Sequence, residues 1–99
     1  MLKIESNLHI LTMIPSITLQ IDSRLDETIN NMSGINARFG SVYKLAILTI
    51  SQDITGTRLT LTGSSDSINN LKRDVEKKHV KYITNDGFGK ILGILSCIK

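Results

Sequence analysis

The chain has 99 residues and a mass of 11.0 kDa, which allows a single domain spanning residues 1–99. Apolar residues make up 40% and charged residues 21% of the sequence, a balance that excludes a disordered chain. The single cysteine excludes an internal disulfide framework and is typical of a reducing compartment, so a cytoplasmic location is expected. The longest nearly apolar run, residues 88–98, contains a lysine and is too short to span a bilayer, so no membrane contact is expected.

The net charge of +3 is unevenly distributed. Residues 1–66 carry five Lys/Arg and six Asp/Glu, whereas residues 67–99 carry seven and three. A basic second half could face phosphate or an acidic partner protein, and the alternative is a solvated helix face. The candidate phosphate contacts are Lys72, Arg73, Lys77, Lys78, Lys81 and Lys90.

The first clear element is a half-buried strand. Ile17, Leu19 and Ile21 alternate with polar residues, which predicts one apolar and one polar face. Pro15 precedes this alternation. Residues 8–14 are therefore either a separate strand or an edge segment that tolerates a missing hydrogen-bond donor.

A short amphipathic helix is predicted next, over residues 23–33. Asp22 and Ser23 are both good N-caps, and Gly34 is a stop signal. The spacing predicts that the helix buries Leu25, Ile29 and Met32.

Two strands are predicted in the middle of the chain. Residues 42–50 are apolar and β-branched, which suggests a strand buried on both faces, although a helix is the alternative. Residues 51–56 are expected to form a loop. Leu59 and Leu61 then alternate with polar residues and are expected to face the helices. The polar side of this strand, offered to solvent, an effector or a partner, is Arg58, Thr60 and Thr62.

A second amphipathic helix is predicted over residues 67–79, with turn and cap residues at 64–67. Its inward residues are expected to be Ile68, Leu71 and Val75. Its outer face offers two i, i+4 ion pairs, Lys72–Glu76 and Asp74–Lys78.

The chain is expected to end in a β-hairpin. Val80 and Tyr82 begin one strand, and residues 91–98 form the last one. Asp86 and Gly87 between them predict a type I′ turn, which needs positive φ at both central residues.

These elements predict an α+β domain of the ferredoxin-like kind. The order is β-α-β-β-α-β, with an extra strand that closes the terminal hairpin. The mainly antiparallel sheet would carry both helices on one face, in a two-layer sandwich. The other face would remain open for self-association or for a ligand.

Residue patterns for catalysis or for metal binding are weak in this chain. His9 and His79 are distant in sequence and have no ligand spacing with Cys97, so no metal and no cofactor are expected. Cys97 lies in an apolar segment, which favours a small buried hydrophobe over a nucleophile. The carboxylates Asp22, Asp26 and Glu27 are explained by a helix N-terminus. An enzyme is therefore not expected.

The glycine-rich stretch 87–93 allows two interpretations. Gly87, Phe88 and Gly89 match the start of the aromatic signature of single-strand RNA-binding sheets, but the later aromatic positions are Lys90, Ile91 and Leu92. The alternative is a hairpin with permissive glycines.

Residues 58–83 resemble the second half of small ferredoxin-like regulatory domains of the ACT and NIL types and of the effector domain of nickel-responsive repressors. The shared form is an alternating strand that ends at Gly63, a helix with Ile68 and Leu71 inward, and a strand that opens at Val80. The histidine and cysteine ligands of the repressors have no counterparts here, so nickel is not implied.

The whole chain also looks like the N-terminal domain of archaeal regulators of the bacterio-opsin-activator type. The matching features are the strand 80–84, the hairpin at 86–87 and the apolar strand 90–98. This resemblance implies a sensor or dimerisation piece of a transcription regulator, which contacts DNA only through a helix-turn-helix outside these 99 residues.

The leading hypothesis is a non-enzymatic regulatory domain. It would pair with itself through its sheet or an edge strand and bind a small-molecule effector. The alternative is a nucleic-acid-binding module that uses the basic second half.

Overall fold

The structure is a computed structural model that describes residues 14–98. The predicted segment 8–14, apart from its last residue, and His9 lie outside these residues. The elements, in chain order, are β1 (Ser16–Ile21), α1 (Leu25–Asn30), α2 (Met32–Ile35), a π-helix (Asn36–Val42), β2 (Ala46–Asp53), β3 (Gly56–Thr62), α3 (Ser65–Glu76), β4 (Lys81–Thr84) and β5 (Gly87–Ile98). Within this range no helix has the length and the apolar character needed to cross a membrane.

The strands form one five-stranded sheet in the order β2-β3-β1-β5-β4. Every neighbouring pair is antiparallel. The predicted α+β class is therefore confirmed.

The last two strands exchange the roles that the sequence suggested. The strand after the long helix was expected to complete the sheet, and the final strand to be the extra one. Instead β5 lies beside β1, and β4 lies at the edge. The reason is length and side chains: β5 has 12 residues and packs Ile91, Ile94 and Cys97 against the core, whereas β4 has four residues and buries Tyr82 alone.

One face of the sheet and the helices enclose a single hydrophobic core. The alternation predicted for β1 and β3 is confirmed, because Ile17, Leu19, Leu59 and Leu61 are fully buried. The rest of the core is Ile21, Ile35, Phe39, Leu45, Ile68, Leu71, Val75, Val80 and Tyr82. Thr18, Gln20, Arg58, Thr60 and Thr62 of these two strands lie on the opposite face, where they are half-buried or exposed.

The predicted helix 23–33 is broken and continues further than expected. Asn31 interrupts it between α1 and α2, and the π-helix extends it to residue 42. Gly34 does not end it: a Cβ at this position would lie 1.8 Å from the carbonyl oxygen of Ile83, so the glycine allows α2 to approach β4.

The buried face of this segment also differs from the prediction. The residues expected inside, Leu25, Ile29 and Met32, are exposed or half-buried, and Ile29 is 54% exposed. The buried residues are Thr28, Ile35 and Phe39.

Neither predicted N-cap holds that position. The N-cap of α1 is Arg24, which makes no side-chain capping hydrogen bond. The hydroxyl of Ser23 instead lies 2.5 Å from Thr28 Oγ1, and Thr28 Oγ1 lies 3.0 Å from Thr57 Oγ1. These three hydroxyls form a small polar network under the helix.

β2 is an edge strand. The prediction that it would be buried on both faces is wrong. Among residues 14–98 it has only one neighbour, β3, and Leu48 forms a bulge between Ile47 and Thr49. Leu48 is 57% exposed. Because the strand continues to Asp53, the expected loop 51–56 shrinks to a two-residue turn at 54–55.

α3 matches its prediction closely at its inward face. Ile68, Leu71 and Val75 are buried, and the hydroxyl of Ser64 caps the helix by accepting from the Ser67 N–H at 3.1 Å. The helix ends at Glu76, three residues earlier than predicted.

The two ion pairs expected on its outer face do not form among residues 14–98, where the only salt bridges are Arg24–Asp26 and Arg58–Asp53. Asp74 instead accepts a 2.6 Å hydrogen bond from the hydroxyl of Tyr43.

The terminal hairpin is confirmed, but its turn is displaced by one residue. Thr84 pairs with Gly87, so the central residues are Asn85 and Asp86. Neither has positive φ, which excludes the expected type I′ turn.

β5 carries two bulges, and they explain its apolar pattern. Leu92 and Leu95 each stand between consecutive partners of β1 without a partner of their own. Each bulge adds one residue, so the side chains that reach the core are three residues apart, at Ile91, Ile94 and Cys97.

Candidate functional site: a lysine-rimmed groove beside β5

A groove of about 360 Å³ lies where β4 begins and the free part of β5 continues. Its walls come from the end of α3, the loop that follows it, and residues 90–93 of β5. The apolar lining consists of Val75, Val80, Ile91 and Leu92, with Gly93 beside them. The groove is thus an apolar cleft at the edge of the sheet.

Three lysines complete the lining of this groove: Lys78, Lys81 and Lys90. Among residues 14–98 no carboxylate lines it, and neither salt bridge of this range involves these lysines. Three positive charges therefore surround an apolar surface without a negative charge among the lining residues.

The hairpin register places two of these lysines face to face. Lys81 and Lys90 are directly paired across β4 and β5. Like charges opposite each other on a sheet are destabilising. Lys81 Nζ also lies 5.9 Å from the centre of the Phe88 ring, a contact that holds the ammonium group over the hairpin.

Lys78 reaches the groove from an unusual backbone conformation. Its φ is +59°, and only Lys44 shares a positive φ among the other non-glycine residues of the range 14–98. The N–H groups of Lys78 and His79 bond to the carbonyls of Val75 and Asp74, a Schellman ending in which glycine is the usual residue. A lysine here costs conformational energy that glycine would avoid.

The structure divides the predicted phosphate contacts into two groups. Lys78, Lys81 and Lys90 line the groove, whereas Lys72, Arg73 and Lys77 do not. Arg73 donates to Asn70 Oδ1 at 2.9 Å on the outer side of α3. Whether any of the six contacts phosphate stays a prediction.

The predicted effector or partner residues of β3 lie together on the open face, and each already has a partner within the chain. Thr60 Oγ1 lies 3.0 Å from Thr18 Oγ1, and Thr62 donates to the Pro15 carbonyl at 2.7 Å. Arg58 forms a 3.1 Å ion pair with Asp53. The pKa of the Asp53 carboxyl is lowered by the Ile54 N–H and by Arg58. Their role as outside contacts stays a prediction.

A second cleft, of about 380 Å³, lies at the other end of the hairpin and is polar. Asp22, Glu27 and Asp86 contribute carboxylates, whereas Asp26 is not part of the lining. Tyr82 closes its base, and burial raises the pKa of the Tyr82 hydroxyl, with the charges of Asp22 and Glu27 acting in the same direction. The expected capping role of Asp22 is thus replaced by a position at the rim of this cleft.

The remaining candidate residues for catalysis or metal binding do not lie together in the structure. Cys97 is half-buried and packs against the core, as expected of a small hydrophobe. Within residues 14–98 no group of three or more His, Cys, Asp or Glu side chains is arranged to hold a metal ion.

Sequence reasoning missed the groove, although a signal for it exists. Lys81 and Lys90 are equally distant from the turn at Asn85 and Asp86. A two-residue turn at these positions places them opposite each other. The expected turn at 86–87 would shift the register by two residues and separate them.

Comparison of the chain with protein-family models, with curated proteins and with solved structures gives no match.

Proposed function

We propose that this chain is a non-enzymatic regulatory domain that pairs with a second copy along the edge of β5 and binds a small-molecule effector. In this proposal it serves a transcription regulator, as its sequence resemblance implies. The observation that carries the proposal is the unpaired edge of β5.

β5 has two neighbours, but each covers only part of it. β4 pairs with residues 87–90, and β1 pairs with residues 91–98 on the other side. Among residues 14–98, the second edge of the segment 91–98 therefore has no strand beside it. Unpaired N–H and C=O groups along such an edge are a template for another strand.

The side chains of this segment do nothing to prevent pairing. Residues 91–98 contain no charged residue, and Leu92 and Leu95 are 52% and 45% exposed. Natural edges that avoid pairing usually carry lysine or proline. This edge has neither.

A second copy fits the edge for a geometric reason. Two identical strands can pair antiparallel about a twofold axis, which makes a closed dimer. The bulges at Leu92 and Leu95 bend β5 and increase its twist. A second copy carries the same bend, whereas a straight strand does not.

The order of the other strands supports a ferredoxin-like relationship. β1 and β2 both pair antiparallel with β3, so they are parallel to each other with β3 between them. β3 and β5 have the same relation to β1. Two split β-α-β units result, and we propose that β4 is an insertion into this arrangement.

Sedimentation equilibrium tests the pairing directly. The wild-type chain is expected to form dimers. The double substitution Leu92→Lys and Leu95→Lys places two positive charges on the edge and is expected to raise the dimer dissociation constant at least about tenfold. Circular dichroism establishes that the double variant remains folded.

Leu48→Lys is the matched control, because Leu48 is a bulge residue of the other edge strand with similar exposure. This variant is expected to remain dimeric. A monomeric wild-type chain, or dimers lost only in the Leu48 variant, would contradict pairing through β5.

One observation favours the nucleic-acid alternative. Phe88 is 64% exposed on the hairpin, next to Lys81 and across from Ile83. Exposed aromatic rings flanked by cations are the stacking sites of single-strand binding proteins. Fluorescence anisotropy with labelled single-stranded oligonucleotides at low salt tests it: Phe88→Ala should weaken any binding, and absence of binding to the wild-type chain removes this alternative.

A further inference from the structure

We propose that the groove beside β5 binds a small amphipathic anion: one carboxylate or phosphate head with a short apolar tail. This inference deepens the proposed function, because it names the chemical class of the effector. The groove shares residues 91–93 with the proposed pairing edge, so a substitution at Leu95, which lies on the edge but outside the groove, separates the two.

The apolar lining sets the first requirement on the ligand. Val75 and Val80 are buried at the base, while Ile91 and Leu92 stay partly or largely accessible. An apolar tail would cover the accessible surface of these two residues, and removing apolar surface from water favours binding. A purely polar ion would leave that surface wet.

The lysines set the second requirement. A single anionic head between Lys81 and Lys90 would relieve the repulsion that their cross-strand pairing creates. The C-terminal end of α3 explains a positive charge at Lys78, since cations are favourable there. It does not explain the charges at Lys81 and Lys90, which lie on the hairpin.

The conformation of Lys78 agrees with a site at this place. A glycine would fit the end of α3 with less strain, yet a lysine occupies the position and lines the groove. Strained residues of this kind concentrate at binding sites.

The size of the groove sets the third requirement. A volume of about 360 Å³ lies at the low end for ligand pockets, so the tail must be short. Octanoate has an anionic carboxylate head and an apolar tail short enough for this volume, so it is the probe used in the test.

Titration of the full chain with octanoate, followed by two-dimensional ¹H–¹⁵N NMR, tests the inference. Saturable shifts are expected at residues 78–81 and 90–93. The substitutions Lys81→Gln and Lys90→Gln together are expected to weaken binding at least about fivefold, because they remove both facing charges. Lys77→Gln removes the neighbouring charge outside the groove and is expected to leave the affinity unchanged.

Two further titrations separate the head from the tail. Acetate and octanol are each expected to bind at least about tenfold more weakly than octanoate, since each lacks one feature. Equal binding of either one, or shifts that spread over the basic face of α3, would overturn the inference.

A last arm separates a free ligand from a lipid surface. Vesicles of phosphatidylglycerol are expected not to compete with octanoate. Binding to vesicles without binding to octanoate would overturn the inference in favour of a membrane headgroup. Loss of dimers in a Leu95→Lys variant, whose substitution lies on the edge but outside the groove, with octanoate shifts retained at Lys78, Lys81 and Lys90 would support it independently of pairing.

Discussion

The hydroxyl of Tyr43 donates a 2.6 Å hydrogen bond to the carboxylate of Asp74, and this contact joins the end of the π-helix to α3. The two residues belong to the two separate helical connections of the sheet. Strand pairing does not join these two helical connections, so this hydrogen bond links them directly on the core side of the sheet.

Removing this hydroxyl should reduce the stability of the fold. Tyr43→Phe is expected to lower the free energy of unfolding by about 1 kcal/mol, because hydrogen bonds to charged groups contribute more than neutral ones but this one is half-exposed. Urea denaturation measures the change. An unchanged midpoint would show that Asp74 is equally well solvated without its partner.

The same contact predicts a dependence of stability on alkaline pH. Burial and the hydrogen bond to Asp74 raise the pKa of Tyr43 from 10.0 to about 12. Because the folded pKa is higher than the unfolded one, the stabilisation is fully present below pH 10 and is lost as the pH rises from 10 to 12. The difference in unfolding free energy between wild type and Tyr43→Phe should therefore shrink over this window, as urea denaturation at several pH values would measure.

The ring of Tyr82 lies directly over Gly89 of the neighbouring strand. A Cβ at residue 89 would lie 2.0 Å from Cζ of Tyr82, and the ring is fully buried. Gly89→Ala is therefore expected to cost about 2–3 kcal/mol of stability, because the ring would have to leave its packed position beside Phe39. Gly93→Ala on the same strand is the control: no atom of the described residues lies within 4 Å of its Cβ, and a change within about 0.5 kcal/mol is expected. Thermal unfolding of both variants makes the comparison.

The buried hydroxyl network under α1 is expected to be sensitive to the loss of one member. Thr28 donates to the Arg24 carbonyl at 2.9 Å and contacts the hydroxyls of Ser23 and Thr57. Thr28→Val keeps the shape but removes the hydroxyl, and is expected to destabilise the fold by about 1–3 kcal/mol. Thr60→Val on the accessible face should cost less. An equal cost for both in urea denaturation would show that the network adds nothing to local packing.

Lys78 should be replaceable by glycine with a gain in stability. Lys78→Gly is expected to stabilise the fold by about 0.5–1 kcal/mol, because glycine adopts the positive φ without strain. Lys77→Gly, at an ordinary backbone conformation one residue earlier, should instead destabilise by about 0.5 kcal/mol. Thermal unfolding of both variants tests this. A destabilised Lys78→Gly would contradict strain at this position.

The sequence by itself determined the elements whose apolar residues follow one unbroken period. The alternation in β1 and β3 predicted Ile17, Leu19, Leu59 and Leu61 as core residues, and the spacing in α3 did the same for its inward face. In these elements one face of the strand or helix meets the core along its whole length, and the opposite face does not. A local pattern is then sufficient, and the α+β class follows from the order of such patterns.

Tertiary structure decided the elements in which the period breaks. The first helical segment is interrupted at Asn31 and buries Thr28, Ile35 and Phe39 instead of the predicted residues, and the bulges of β5 replaced a period of two by one of three. It also decided which terminal strand joins β1, since a four-residue strand cannot match the length of the sheet. These outcomes depend on contacts between residues distant in sequence, which no local pattern contains.

The groove falls between these two cases. Its lysines were visible in the sequence as a basic second half, but their meeting depends on the position of a single turn. A turn moved by one residue shifts the pairing of every residue in the hairpin, so the charges could be counted from the sequence and their arrangement could not.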